Sequence, residues 1–164
     1  MTSVLRVTLG CLAFSAALPG LQATISPLGF YEGFPFGRAW VEMLPPFNEH
    51  LIRDVGNYKL AFALLFAWAA WRPSRELVIP LATAWSVAAL LHGGYHARNL
   101  DGFGAGDAIA LMVTLAAALA LPALAIVIAQ REPGRSELVA PRSQAAATPR
   151  ARRGSPPQPP PAGT

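Results

Sequence analysis

The sequence predicts an all-α membrane protein: four transmembrane helices in an antiparallel bundle, followed by a disordered C-terminal tail. Three observations carry this expectation. Hydrophobic residues make up 53% of the 164 and charged residues only 13%, a balance too apolar for an ordinary soluble domain. The apolar residues gather into blocks near 7–25, 55–71, 77–91 and 108–129, with most of the charges between them. Most of the arginines then fall on one side. Arg6, Arg72 and Arg75 alternate across the blocks with the arginine-rich stretch after 129, whereas the segments facing the other way hold Glu32, Glu42, Glu49, Asp54, Asp101 and Asp107 against Arg38, Arg53 and Arg98. Positive charge collects in the cytoplasm, so both termini are expected there and the protein is read as multi-pass in a plasma membrane.

The first span, 7–25, has the length that a hydrocarbon core of about 30 Å requires, about 20 residues. Its basic start and small residues near Ser15 also suit a cleavable signal peptide. The polar boundary arrives only at Ser26, however, and the small-residue pattern at Ala23 is poor, so the segment is read as a retained helix. Cys11 is the only cysteine and cannot form an internal disulfide.

The outer loop, 26–50, carries Phe30, Tyr31, Phe34, Phe36, Trp40 and Phe47 among glycines and prolines. Aromatic rings favour headgroup depth. The loop is therefore expected to roof the bundle, with a short helix around 37–44.

The second span, 53–71, opens after Asn48, a suitable N-cap, with Glu49 where a carboxylate suits the positive end of the helix dipole. Glu49 and Arg53 are four residues apart, as are His50 and Asp54, so each pair shares a side of the helix. Asn57 and Lys59 continue inward. The third span, 77–96, ends in HGGYHARNLD, and His92 and His96 face one way if the helix persists through Gly93 and Gly94. A short connection makes the second and third helices antiparallel neighbours. Glu49, His50, Arg53, Asp54, Asn57, Lys59, Tyr95, Arg98 and Asp101 are then expected to meet His92 and His96 in one polar cluster at the outer mouth.

Three kinds of chemistry fit such a cluster. It suits a structural network that locks helix ends, with Arg53 and Asp54 or Arg98 and Asp101 paired across helices. It also suits a pocket for a small ligand of quinone type. Or His50, His92 and His96, with Asp54, bind a divalent transition metal or a haem iron, for which imidazole nitrogens are good ligands. The spacing H-x-x-x-H lacks the glutamate of a metalloprotease helix, Gly93 standing in its place, and no catalytic triad is present. Membrane lipid and other membrane subunits suit this composition as partners; nucleic acid does not.

In the fourth span, 108–129, Gly102 to Gly106 form the turn into the helix, its alanines allow close packing, and Pro122 is expected to kink it. From 130 to 164 the chain is rich in proline, alanine and arginine with little to bury. That composition predicts a disordered cytoplasmic tail.

FYEGFP, PPFNEHLIRDVG and HGGYHARNLD together resemble a family of small, uncharacterised four-helix membrane proteins from high-GC bacteria, itself loosely similar to DoxX-like proteins. The resemblance covers about 25–101, and the tail departs from it. It implies the topology and a bacterial plasma membrane and transfers no catalytic roles. DoxX-like proteins are associated with redox and respiratory membrane complexes, so the resemblance also implies a redox-associated subunit as an alternative to a structural or ligand-binding component; the histidines offer a second alternative, a metal-binding membrane enzyme.

Overall fold

The computed structural model describes residues 3–44 and 46–131. Among these the secondary structure is entirely helical: α1 (Ser3–Ile25), α2 (Pro27–Gly33), α3 (Glu49–Trp71), α4 (Arg75–His96) and α5 (Ala105–Arg131). The tail expected at 130–164 lies outside the described residues, except that Gln130 and Arg131 complete α5. Three helices, α1, α4 and α5, are long and apolar enough to cross a membrane. Helix α3 matches α1 in length but falls short in hydropathy, because Glu49, Arg53, Asp54, Asn57 and Lys59 occupy its first three turns.

These helices are apolar on every side, which is what lipid rather than water tolerates. Val7, Phe14, Leu64, Leu91 and Ile109 are all exposed. Leu5, Leu9, Leu12, Ala16, Phe66, Val78, Ala82, Ala125 and Ala129 are completely buried and form one core. That core lies toward the end where α1 and α4 begin and α3 and α5 finish, called here the tail end. The opposite end, where α1 and α4 finish, is the loop end.

Helix α1 packs mainly on α3, and α4 mainly on α5. Small residues bring α1 and α3 together. A side chain on Gly56 would place its Cβ 2.6 Å from Thr24 Oγ1 and 3.0 Å from both the Thr24 nitrogen and Ala23 Cβ, and one on Gly20 would meet the Gly56 carbonyl at 3.2 Å. Such close approach is how helices gain packing energy where burial from water offers none. The pair is antiparallel, and each helix covers the other's free carbonyls. Arg6 Nη1 donates to the Ala70 and Trp71 oxygens at 3.1 and 2.9 Å, and Arg53 Nη1 donates to the Thr24 oxygen at 2.5 Å. Last-turn carbonyls have no partner inside their own helix, and a guanidinium answers both their hydrogen-bonding need and their partial negative charge.

The turns follow local chemistry. Asn48 Oδ1 accepts from Leu51 N at 3.0 Å and Ser74 Oγ from Leu77 N at 3.2 Å, the N-cap geometry that starts α3 and α4. At the tail end, Trp68 and Trp71 meet edge to face and the Arg72 guanidinium lies 4.6 Å from the Trp71 ring. The short helix of the outer loop is Pro27–Gly33, not the stretch around 37–44. Proline at the first helical position favours the start, whereas Phe36, Gly37 and Ala39 all have positive φ, which no right-handed helix accommodates. Helix α5 begins at Ala105 and continues through Pro122, which is completely buried.

Candidate functional site

The polar residues of the loop end fall into three groups rather than one. The first belongs to the α1–α3 pair. Arg53 Nε donates to Glu49 Oε1 at 2.8 Å while its Nη1 holds α1, and the Thr24 hydroxyl donates to Asn57 Oδ1 at 3.2 Å. These side chains satisfy one another. The expected cross-helix pairs do not form: among the described residues the ion pairs are Arg53 with Glu49, His50 with Asp54, and Arg38 with Asp107. Arg98 and Asp101 are thus not bridged.

His50 and Asp54 pair along α3 at 3.3 Å, with the His50 side chain 87% exposed. They cannot join His92 and His96. Ile52 and Gly56 are buried against α1, and residues two positions away point about half a turn from them, so His50 and Asp54 face outward. Among the described residues no group of three or more His, Cys, Asp or Glu side chains is placed to hold a metal ion. The four-ligand set of His50, Asp54, His92 and His96 is therefore not assembled.

The second group is a clamp that sequence reasoning missed. Arg38 Nη1 and Trp40 Nε1 both donate to Asp107 Oδ1, Trp40 at 3.0 Å, and tie the loop to the first turn of α5. Trp40 is buried. Phe30, with Ala23 and Ile52 and the partly buried Tyr31, Phe34 and Val41, forms a small core beneath the same loop, while Phe36 stands at its tip, 92% exposed. The only sequence signal for the clamp was an unassigned carboxylate at a helix start opposite a loop arginine. Tyr95, Asp101, Met43, Leu44, Asn99 and Gly102 line an open depression between loop and helices.

The third group lies between α3 and α4. These consecutive helices are not the close neighbours their short turn suggested; they meet through aromatic side chains. Trp85 of α4 lies edge to face with Phe62 and Phe66 of α3, the centroids 5.3 and 5.5 Å apart. Toward the loop end the gap holds Lys59, whose Nζ is 5.4 Å from the Trp85 ring centroid, a cation–π contact. Helix α4 persists through Gly93 and Gly94, so His92 and His96 stack edge to face at 4.6 Å. Trp85, His92 and His96 share one side of α4 by their spacing, and Lys59 and His96 both lie within electrostatic reach of His92.

This crevice differs from the other groups in one respect. Trp85 Nε1 and His96 Nδ1 are buried and have no hydrogen-bond partner among the described residues, although Trp85 and His96 are only 9% and 5% exposed. A buried polar atom without a partner costs about 1–3 kcal/mol, and native structures keep few of them. Lys59 lies next to the first of these, at Trp85, and His96 lies about 16 Å farther along α4. No family model, curated protein or solved structure matches the chain, so the site is read from its own geometry.

Proposed function

We propose that the chain is a four-span integral protein of a bacterial plasma membrane, of DoxX-like kind, with both termini cytoplasmic, and that it binds a small lipid-soluble ligand in the crevice between α3 and α4. The observation that carries this reading is the pair of partnerless buried nitrogens, Trp85 Nε1 and His96 Nδ1. Indole nitrogen only donates, so a ligand with a hydrogen-bond-accepting oxygen answers Trp85 Nε1, while His96 Nδ1 donates or accepts according to its tautomer. A quinone-type carbonyl is one such group, and it would connect the protein to redox-associated membrane complexes.

Helix α3 counts as the fourth span because the polar side chains of its first two turns are supplied with partners. Arg53, Glu49 and Asn57 are satisfied on α1 or within α3, and polar groups at membrane depth are tolerated where protein satisfies them. The loop end is then the outer face and the tail end, with Arg6, Arg72, Arg75 and Arg131, the cytoplasmic one. Helix α1 stays in place as the partner of α3, since Leu5, Leu9, Leu12 and Ala16 are completely buried.

Two measurements test the proposal. In a Cys11→Ser background, a cysteine at Ser74 should be labelled only from the cytoplasm and one at Glu42 only from outside; the reverse would overturn the orientation. A photoreactive alkyl ketone added to the protein in lipid nanodiscs should label 85–96 of α4 saturably. Labelling spread evenly over the lipid-facing residues of all helices would contradict a crevice site.

A further inference from the structure

We infer that the crevice takes an acidic amphiphile, a single alkyl chain ending in a carboxylate or phosphate, and that Lys59 reads its charge. This rests on the crevice reading above and adds the sign and shape of the ligand.

The donor set is one-sided. Lys59 Nζ and Trp85 Nε1 can only donate, and each imidazole presents at least one donor when neutral and two when charged. No carboxylate among the described residues is within ion-pair distance of Lys59. Those of Glu49, Asp54 and Asp107 are engaged by Arg53, His50 and Arg38. The ammonium therefore has an aromatic face beside it and no anion. A neutral carbonyl would satisfy Trp85 Nε1 and leave that charge uncompensated. An anionic oxygen answers Trp85 Nε1 and Lys59 Nζ together, through charge-assisted hydrogen bonds that are shorter and stronger than neutral ones.

The position of the ammonium excludes the ordinary alternative. A lysine in an apolar helix usually stretches its head to the interface. Here Nζ lies over Trp85, eleven residues before α4 ends at His96, which at 1.5 Å per residue is roughly 16 Å below the loop end. Lys59 does not stretch to the loop end; its head stays beside Trp85, which packs on Phe62 and Phe66. His92 and His96, on the same side of α4 as Trp85, line the route from the loop end down to it.

The test uses the full-length protein in neutral phosphatidylcholine nanodiscs. Trp68→Phe and Trp71→Phe leave Trp85 and Trp40 as emitters. The probes are ω-bromododecanoate, ω-bromododecyl phosphate and the methyl ester of the first, each read as tryptophan quenching. Both anions should quench saturably, with competition by dodecanoate but not by acetate or inorganic phosphate. Lys59→Met should weaken anion binding roughly tenfold or more and leave the ester unchanged, and Lys59→Arg should restore most of the loss. Unquenched Trp40 emission reports that each variant is folded. Equal binding of acid and ester, or acid binding unchanged in Lys59→Met, would overturn the charge assignment and leave the crevice standing. Competition by acetate or inorganic phosphate would overturn the amphiphile, and no saturable quenching by any probe would overturn both readings.

Discussion

The α1–α3 seam and the α3–α4 crevice lie on two sides of one helix, and they treat polarity in opposite ways. In the seam, Arg53, Glu49, Asn57 and Thr24 find partners within 2.5 to 3.2 Å, and Gly20 and Gly56 let the backbones touch. In the crevice, among the described residues, Lys59 has no anion and two buried nitrogens have no partner. The lesson is that residue type does not separate structural from functional polarity in this protein. Completion does: the satisfied groups hold helices together, and the unsatisfied ones are those on which the proposed ligand site rests.

The comparison breaks first, and hardest, at the glycine seam. Gly56→Ala puts a methyl 2.6 Å from Thr24 Oγ1 and 3.0 Å from the α1 backbone, so the helices must separate. Overpacking of this kind costs about 1–3 kcal/mol; thermal unfolding in nanodiscs should show a clearly lowered midpoint, and an unchanged one would mean that the seam is looser than described. Next comes the clamp. Asp107→Ala leaves Trp40 Nε1 buried without its acceptor and releases Arg38. Trp40 emission should shift to the red and the loop should become sensitive to protease from outside, with Arg6-end packing untouched. A blue-shifted or unchanged Trp40 would show that Phe30 and its neighbours hold the loop unaided. A smaller effect is expected at Glu49→Gln, which removes an ion pair whose side chains are 56% and 43% exposed. Exposed pairs contribute about 0–1 kcal/mol, so the midpoint should barely move, and a large fall would make this pair part of the seam's support.

The helices were legible because lipid demands long apolar runs, and local spacing sufficed for what lies within one helix. The Asn48 cap, the Glu49–Arg53 and His50–Asp54 pairs and the stacking of His92 on His96 all follow from positions three or four apart. What was illegible depends on which helices pack. A short turn between α3 and α4 suggested close neighbours, yet Gly20 and Gly56 favour α1 against α3, and that choice turns His50 and Asp54 away from His92 and His96. The clamp was hidden for a related reason: Arg38 and Trp40 lie 69 and 67 residues from Asp107 in sequence, beyond any local pattern. The loop helix was misplaced because positive φ at Phe36 and Ala39 leaves no signature in residue type.

The central claim, that the crevice nitrogens wait for a ligand, is tested most directly at His96. In delipidated protein, His96→Leu removes a buried nitrogen that has no partner and keeps an apolar side chain of similar size, so thermal unfolding should occur at or slightly above the wild-type midpoint, because desolvation of that nitrogen no longer counts against folding. The same variant should lose the stabilisation that dodecanoate gives the wild type by mass action. A midpoint lowered as far as that of Gly56→Ala, with the response to dodecanoate intact, would show that His96 is a satisfied structural residue and would contradict the account.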